Sequence, residues 1–122
     1  MTIEIPGAAP AEDVRLAFLS TSDIWTFLGS RAVRTNPGAS LRHGLGLFGL
    51  RDLGAATIAP VLRRMLRTGG DPRGRNVLRQ DAVPFLRVRS AEPIALQLDG
   101  DHLGERREVE FRAVTDALRV VV

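Results

Sequence analysis

Two aspartates lie two residues apart near the C-terminal end of the sequence, in the segment Gln97-Leu98-Asp99-Gly100-Asp101-His102. If both carboxylates face one cleft, one can accept a proton from an attacking hydroxyl while the other orients that hydroxyl or binds a hydrated cation. An apolar run leads into Asp99-Gly100 and a strand-like run follows, so the same residues also predict a tight hairpin with Gly100 at positive φ. Both interpretations are open at the level of the sequence.

Other residue groups match known reaction chemistry poorly. His43 and His102 have no further ligands at the spacing of a metal site, and the chain has no Gly-x-Ser-x-Gly segment to supply a serine nucleophile. The glycines between residues 44 and 49 lie in an apolar run and lack the lysine of a phosphate-binding loop. Because the sequence contains no cysteine, disulfides, thiolate metal sites and a cysteine nucleophile are excluded.

Positive charge is concentrated in the middle of the chain. All 17 basic residues are arginine and 14 residues are acidic, which gives a net charge of +3. Residues 63–89 contain eight arginines and two aspartates, whereas residues 90–122 contain four arginines and seven acids. We interpret the basic segment either as an ordinary solvated face or as a surface for phospholipid or nucleotide phosphate, which guanidinium groups bind in a bidentate way. The residues of this candidate anion surface are Arg63, Arg64, Arg67, Arg73 and Arg75.

A binding surface for nucleic acid is not expected. Trp25 and Phe27, followed by Arg31 and Arg34, have the composition of a patch that binds single strands. Aromatic residues make up only 5% of the chain, however, and we expect most of them to be needed for the core.

Alternation of apolar and polar residues predicts a mainly β fold. Val14, Leu16 and Phe18 alternate with other residues, as do Val109 and Phe111, in the manner of strands with one buried face. Further strands are predicted at residues 2–5, 24–28, 45–50, 76–80, 85–89, 94–98 and 118–122. Since short turns separate these segments, we expect an antiparallel β-sandwich formed as a single domain of residues 1–122.

One segment has the periodicity of a helix. Thr57 can cap its start and Gly69-Gly70 can end it, which predicts an amphipathic helix at about residues 57–68. We expect this helix to pack on a sheet, and its arginines leave a helix on a membrane surface as the alternative. Its apolar stripe consists of Ile58, Val61, Leu62, Met65 and Leu66.

The order of several short segments resembles the second domain of bacterial diacylglycerol kinase-like lipid kinases. The similarity extends over nearly the whole chain, from about Val14 onward, and its first motifs are residues 26–31, Thr-Phe-Leu-Gly-Ser-Arg, residues 36–40, Asn-Pro-Gly-Ala-Ser, and Gly44-Leu45. It returns at residues 98–101, Leu-Asp-Gly-Asp, and extends through residues 109–112 and 117–120 to the closing strand. The resemblance implies a β-rich lobe that binds the lipid. The Gly-Gly-Asp-Gly-Thr motif of the family's ATP-binding lobe does not occur in this sequence.

The resemblance also implies roles for particular residues. The family's proton acceptor for the lipid hydroxyl falls on Asp101, with Asp99 as its neighbour, and aspartate here stands in place of the family's glutamate. The family's magnesium site falls on Ser40, His43 and the backbone of Leu45. Because His43 replaces an aspartate and a neutral imidazole is a poor magnesium ligand, we expect this site to be degraded.

The implied function is that of the lipid-acceptor lobe in an ATP-dependent lipid kinase, with ATP and magnesium as cofactors of the two-lobed enzyme. For this chain alone we expect no cofactor and no activity, as for a truncated or excised lobe. The alternative is a stand-alone, non-catalytic domain that binds lipid or assembles into oligomers. Expected partners are a lipid substrate or an anionic membrane surface, an ATP-binding lobe and a second copy of the chain. We expect a cytoplasmic location, with peripheral attachment to a membrane as the alternative.

Overall fold

Eight antiparallel strands and one helix make up the part of the chain described by the structure, a computed structural model covering residues 1–40, 42–115, 117 and 121. The strand predicted at residues 118–122 lies outside these described residues, apart from position 121. The elements are β1 (Thr2–Glu4), β2 (Leu16–Ser20), β3 (Ile24–Leu28), β4 (Arg31–Arg34), β5 (Leu45–Leu50), α1 (Ala55–Met65), β6 (Val77–Val83), β7 (Phe85–Leu98) and β8 (Asp101–Arg112).

The strands form three sheets. The first has the order β1-β7-β8 and the second has the order β2-β5-β6, while β3 and β4 form a separate two-stranded sheet. A buried cluster joins the first two sheets: Ile3 of β1 and Leu86 of β7 pack with Leu47 of β5 and Val83 of β6. The two larger sheets therefore share one core, as expected for a sandwich.

The helix covers the other side of the second sheet. Leu47 contributes to the core between the sheets, whereas the next residue, Phe48, packs with Val61 and Met65 of α1. Because successive side chains of a strand point to opposite faces, β5 must be apolar along its whole length, and all six of its residues are buried. Gly46 fits this strand because a Cβ there would lie 2.9 Å from side-chain atoms of the preceding loop.

The prediction of a mainly β fold with antiparallel sheets and one helix is confirmed. The helix begins earlier and ends earlier than its apolar pattern indicates, at Ala55 and Met65. Asp52 explains the early start: its carboxylate accepts a hydrogen bond from the Gly54 backbone N–H at 3.2 Å and another from the Thr57 hydroxyl. Thr57 therefore lies inside the first turn instead of capping it.

Two predicted strands are one strand in the structure. Residues 85–89 and 94–98 both belong to β7, and the register with β8 shifts between Arg89 and Ile94. The alternation is interrupted where the extra residues bulge, although the chain continues in the same direction. Strand β4 was not predicted, because Val33 is its only buried apolar side chain.

Among the described residues, no helix is long and apolar enough to cross a membrane.

Candidate functional site

Strands β7 and β8 form a long hairpin that ends at the two aspartates. Leu98 pairs with Asp101 across the two-residue turn Asp99-Gly100, where φ is 49° and 89° respectively. Positive φ at both central residues matches the twist of a hairpin, and Asp and Gly are residue types that tolerate it. The tight hairpin predicted from the sequence is therefore present.

Ion pairs hold the base of this hairpin to β1. Arg87 of β7 lies 2.6 Å from Glu110 and 3.5 Å from Glu108, both on β8, and 4.0 Å from Glu4 on β1. The hydrogen bond to Glu110 and the charges of the three carboxylates raise the pKa of Arg87 above its ordinary value. Ion pairs on one face of the sheet therefore join the three strands, in addition to the hydrogen bonds between their backbones.

We call the far end of the hairpin, residues 94–106, the β7–β8 arm. One face of the arm is apolar, and this face extends beyond the core. Ile94 packs against the core between the sheets, Leu96 is half-buried, and Leu98 is 57% exposed. These three residues are spaced by two along β7 and so share one face. The apolar surface therefore continues from the core to the exposed tip of the arm.

Asp101 lies on this apolar face. Residues paired across an antiparallel ladder share a face, so Asp101 is on the same side as Leu98. Leu103, which is 43% exposed, follows two residues later on β8, next to a one-residue shift in the register with β7. Within the described residues the side-chain carboxylates of Asp99 and Asp101 have no hydrogen-bond or ion-pair partner, and both residues are exposed. The arm thus presents an exposed carboxylate with exposed leucines nearby.

Ser40 and His43, two of the predicted metal ligands, lie in contact with each other. The Ser40 Oγ is 2.6 Å from the His43 Nδ1, and the His43 backbone N–H donates to the Ser40 carbonyl at 3.0 Å. Leu45 is at the start of β5, where it pairs with Val83. This set offers a hydroxyl, an imidazole and a carbonyl but no carboxylate, and the hydroxyl and the imidazole already bind each other.

These residues do not fit a magnesium ion, which prefers carboxylate oxygens. Across the described part of the chain, no group of three histidine, cysteine or acidic side chains is placed to hold a metal. Asp81, the carboxylate that approaches the 36–40 loop, already accepts a hydrogen bond from Asn36 at 2.9 Å and lies 3.8 Å from Arg79. We therefore derive no chemistry through a metal at this place.

A buried asparagine holds the loop that carries Ser40. The Asn36 Nδ2 donates to the carbonyls of Leu47 at 2.8 Å and Gln80 at 3.1 Å, as well as to Asp81. It thereby links the loop after β4 to both β5 and β6. Sequence reasoning gave this asparagine no structural role, because its partners are 11 to 45 residues away in the chain.

The five arginines of the predicted anion surface are all exposed, on α1 and the segment that follows it. Arg64 donates to the carbonyl of Arg73, and the Arg73 Nε lies 2.8 Å from Asp71. Arg63, Arg67 and Arg75 have no acidic partner among the described residues. These three guanidinium groups are available to an anion, whereas Arg73 is partly neutralised.

Sequence reasoning missed a basic groove beside this surface. The groove has a volume of about 810 Å³ and lies between β4 and the segment after α1. Three guanidinium groups contribute to it, from Arg31 and Arg34 on β4 and from Arg67. Arg31 and Arg34 are visible as a basic pair in the sequence, but their proximity to Arg67 is a consequence of tertiary packing. The groove lining is Ser30, Arg31, Ala32, Arg34, Leu66, Arg67 and Thr68.

Comparisons of this chain with models of protein families, with curated proteins and with solved structures found no significant match.

Proposed function

We propose that this chain is the lipid-acceptor lobe of an ATP-dependent lipid kinase, inactive without a partner lobe that binds ATP. The observation that carries the proposal is Asp101, an exposed carboxylate on the leucine-lined face of the β7–β8 arm. The ordered sequence resemblance to the second domain of diacylglycerol kinase-like enzymes supports the same assignment.

In the proposed reaction Asp101 accepts the proton of the lipid hydroxyl. The hydroxyl oxygen then forms a bond to the γ-phosphorus of ATP while the bond from that phosphorus to the bridging oxygen breaks, and ADP leaves. Acyl chains lying along Leu98 and Leu103 would exclude water from the carboxylate. Asp99, in the adjoining turn, would orient the hydroxyl.

The nucleotide side of the reaction is assigned to the partner lobe. ATP and its magnesium would be held there, because Ser40, His43 and Leu45 lack the carboxylate that magnesium requires. The acceptor class is a lipid alcohol, which includes diacylglycerol and sphingoid lipids.

A second candidate is a stand-alone domain that binds lipid without catalysis. The contact between His43 and Ser40 favours it, because that contact occupies the position where the resemblance places a catalytic metal. The two candidates share the lipid-binding arm and differ in whether Asp101 transfers a proton.

A kinase assay separates the candidates. The chain alone, given ATP and diacylglycerol, should form no phosphatidic acid. Fused behind an ATP-binding lobe that contains Gly-Gly-Asp-Gly-Thr, it should form phosphatidic acid, and Asp101→Asn should lower that rate by about 10²-fold or more. Asp101→Glu should keep most of the activity, and Glu105→Gln, on the same strand, is the matched control.

Two outcomes would contradict the assignment as an acceptor lobe that depends on Asp101 and is inactive alone. One is turnover by the chain alone, and the other is an active fusion in which Asp101→Asn has no effect. A folded fusion that binds lipid but forms no product would favour the stand-alone binding domain.

A further inference from the structure

The β3–β4 hairpin presents large apolar side chains to solvent. In the described part of the chain, β3 and β4 pair with each other and with no further strand. Leu28 pairs with Arg31 across the turn Gly29-Ser30. On β3, Phe27 is 62% exposed, Leu28 is 64% exposed and Trp25 is 48% exposed. Three neighbouring exposed residues of this size mark an interaction surface more often than they mark ordinary protein surface.

The base of this hairpin is anchored although its tip is exposed. Val33 of β4 is buried in the core beneath α1. The Trp25 ring lies 5.1 Å from the Phe18 ring, and the Arg34 Nε lies 3.3 Å from Asp23. An isolated two-stranded hairpin is marginally stable in water, so these contacts are needed to hold its apolar tip in place.

The basic groove adjoins the apolar tip directly. Phe27 pairs with Ala32 and Leu28 pairs with Arg31, and both partners line the groove. Arg67, in the segment after α1, also lines the groove, and Arg63, exposed on α1, precedes it by four residues in the chain. Arg31, Arg63 and Arg67 have no acidic partner within the described residues. Phe27 and Leu28 point to opposite faces of the hairpin, so its tip is apolar on both faces, with Arg31 and Arg67 beside it. We call the hairpin tip and these arginines the tip surface.

We infer that this surface docks on an anionic phospholipid bilayer, with Trp25, Phe27 and Leu28 entering the interface and Arg31 and Arg67 contacting lipid phosphates. Charge complementarity identifies the occupant. A second copy seated on the same surface would bring two arginine-lined grooves together, whereas an anionic bilayer supplies hydrocarbon and phosphate at adjacent depths. The inference goes beyond the proposed function by naming a surface for membrane attachment, and it does not depend on phosphoryl transfer.

Trp25 is the single tryptophan of the chain, so tryptophan fluorescence reports directly on this surface. Vesicles of phosphatidylcholine mixed with phosphatidylglycerol should shift its fluorescence emission to the blue, and brominated acyl chains should quench it. Vesicles of pure phosphatidylcholine should have much less effect. Added salt should weaken the binding, because screening reduces the attraction between guanidinium groups and the bilayer.

Separate variants test the apolar and the charged contributions to vesicle binding. Phe27→Ser combined with Leu28→Ser should abolish co-sedimentation with the anionic vesicles, whereas Leu53→Ser, at an exposed leucine outside the hairpin, should leave it unchanged. Arg31→Gln and Arg67→Gln should each lower the partition coefficient by about fivefold. Arg107→Gln, which removes an equal charge from an exposed position of β8 outside the arm, is the matched control. Circular dichroism confirms that each variant is folded.

The inference is overturned if Trp25 emission is unaffected by anionic vesicles, or if the hairpin and groove variants bind as the wild type does. Loss of self-association in the Phe27→Ser and Leu28→Ser variant, with unchanged vesicle binding, would show that a second copy covers the surface instead. The vesicle measurement uses no ATP, so a negative kinase assay does not change its result. Conversely, the kinase assay can be run with dispersed lipid substrate, so an absence of vesicle binding does not decide whether the fusion is a kinase.

Discussion

At the scale of single residues, Asp101 and Asn36 show what a local pattern can and cannot indicate. Asp101 follows an Asp-Gly turn between an apolar run and a second strand-like run, so its neighbours predict its position at the start of a strand. Asn36 binds Leu47, Gln80 and Asp81, which are distant in the chain. Its role as a link between β5 and β6 therefore depends on packing and has no local signature.

Asp52 gives a prediction about pH at this scale. The hydrogen bond from the Thr57 hydroxyl, followed by that from the Gly54 backbone N–H, lowers the pKa of Asp52. Since the folded-state pKa is below the unfolded-state value, the stabilisation is present above the unfolded pKa and is lost as pH falls through the folded pKa. Asp52→Asn should therefore reduce the decline in the free energy of unfolding at acidic pH.

Chemical denaturation of the wild type and Asp52→Asn at a series of acidic pH values measures this contribution. Glu12→Gln, which removes a charge from another exposed loop residue, is the control. Parallel pH profiles for the wild type and Asp52→Asn would contradict the role assigned to Asp52.

At the scale of elements, the β7–β8 turn determines the position of the proposed catalytic carboxylate. Gly100 has a φ of 89°, and a Cβ at this position would have no neighbouring atom within 4 Å. A substitution there would therefore strain the backbone without causing a steric clash. Gly100→Ala should lower the free energy of unfolding by about 1 kcal/mol, because residues with a Cβ disfavour this conformation. The urea midpoint of unfolding measures the change.

Gly74→Ala is the matched control for the turn. Gly74 does not have a positive φ, and a Cβ there would make ordinary contact with Val77 at 3.5 Å. If Gly100→Ala proves no more destabilising than Gly74→Ala, the turn does not hold the geometry that the structure describes.

Elements also differ in how far their own residues predict them. The β5 segment is apolar throughout, which is consistent with burial on both faces, and α1 follows from its apolar period. The start of α1 was misplaced because Asp52, before the apolar stripe, organises the first turn. The continuity of β7 was missed because a bulge interrupts its alternation.

At the scale of the whole molecule, exposed apolar surface predicts self-association. The edge of β8 is an unsuitable contact, because its charged residues, which include Glu105, Arg106 and Glu108, oppose edge-to-edge pairing. The leucines on the β7–β8 arm are the more suitable contact in the absence of lipid. We therefore expect light scattering to give a mass above that of the monomer, increasing with protein concentration.

Substitutions on the arm test this expectation. Leu98→Glu combined with Leu103→Glu should shift the mass to that of the monomer, and Leu53→Glu should leave it unchanged. A monomeric wild type at every concentration would contradict the prediction of a homo-oligomer and the contact assigned to the arm.

The sequence by itself determined the mainly β fold, the single amphipathic helix and the hairpin at Asp99-Gly100, because each depends on spacing and on turn residues that are local in the chain. Tertiary packing is needed to place Asp101 on one face with exposed Leu98 and to bring Arg31 and Arg34 next to Arg67 in a groove. These arrangements depend on strand register and on packing between distant segments. Local patterns do not specify them, since a shift of one residue in register would move every side chain of a strand to the opposite face.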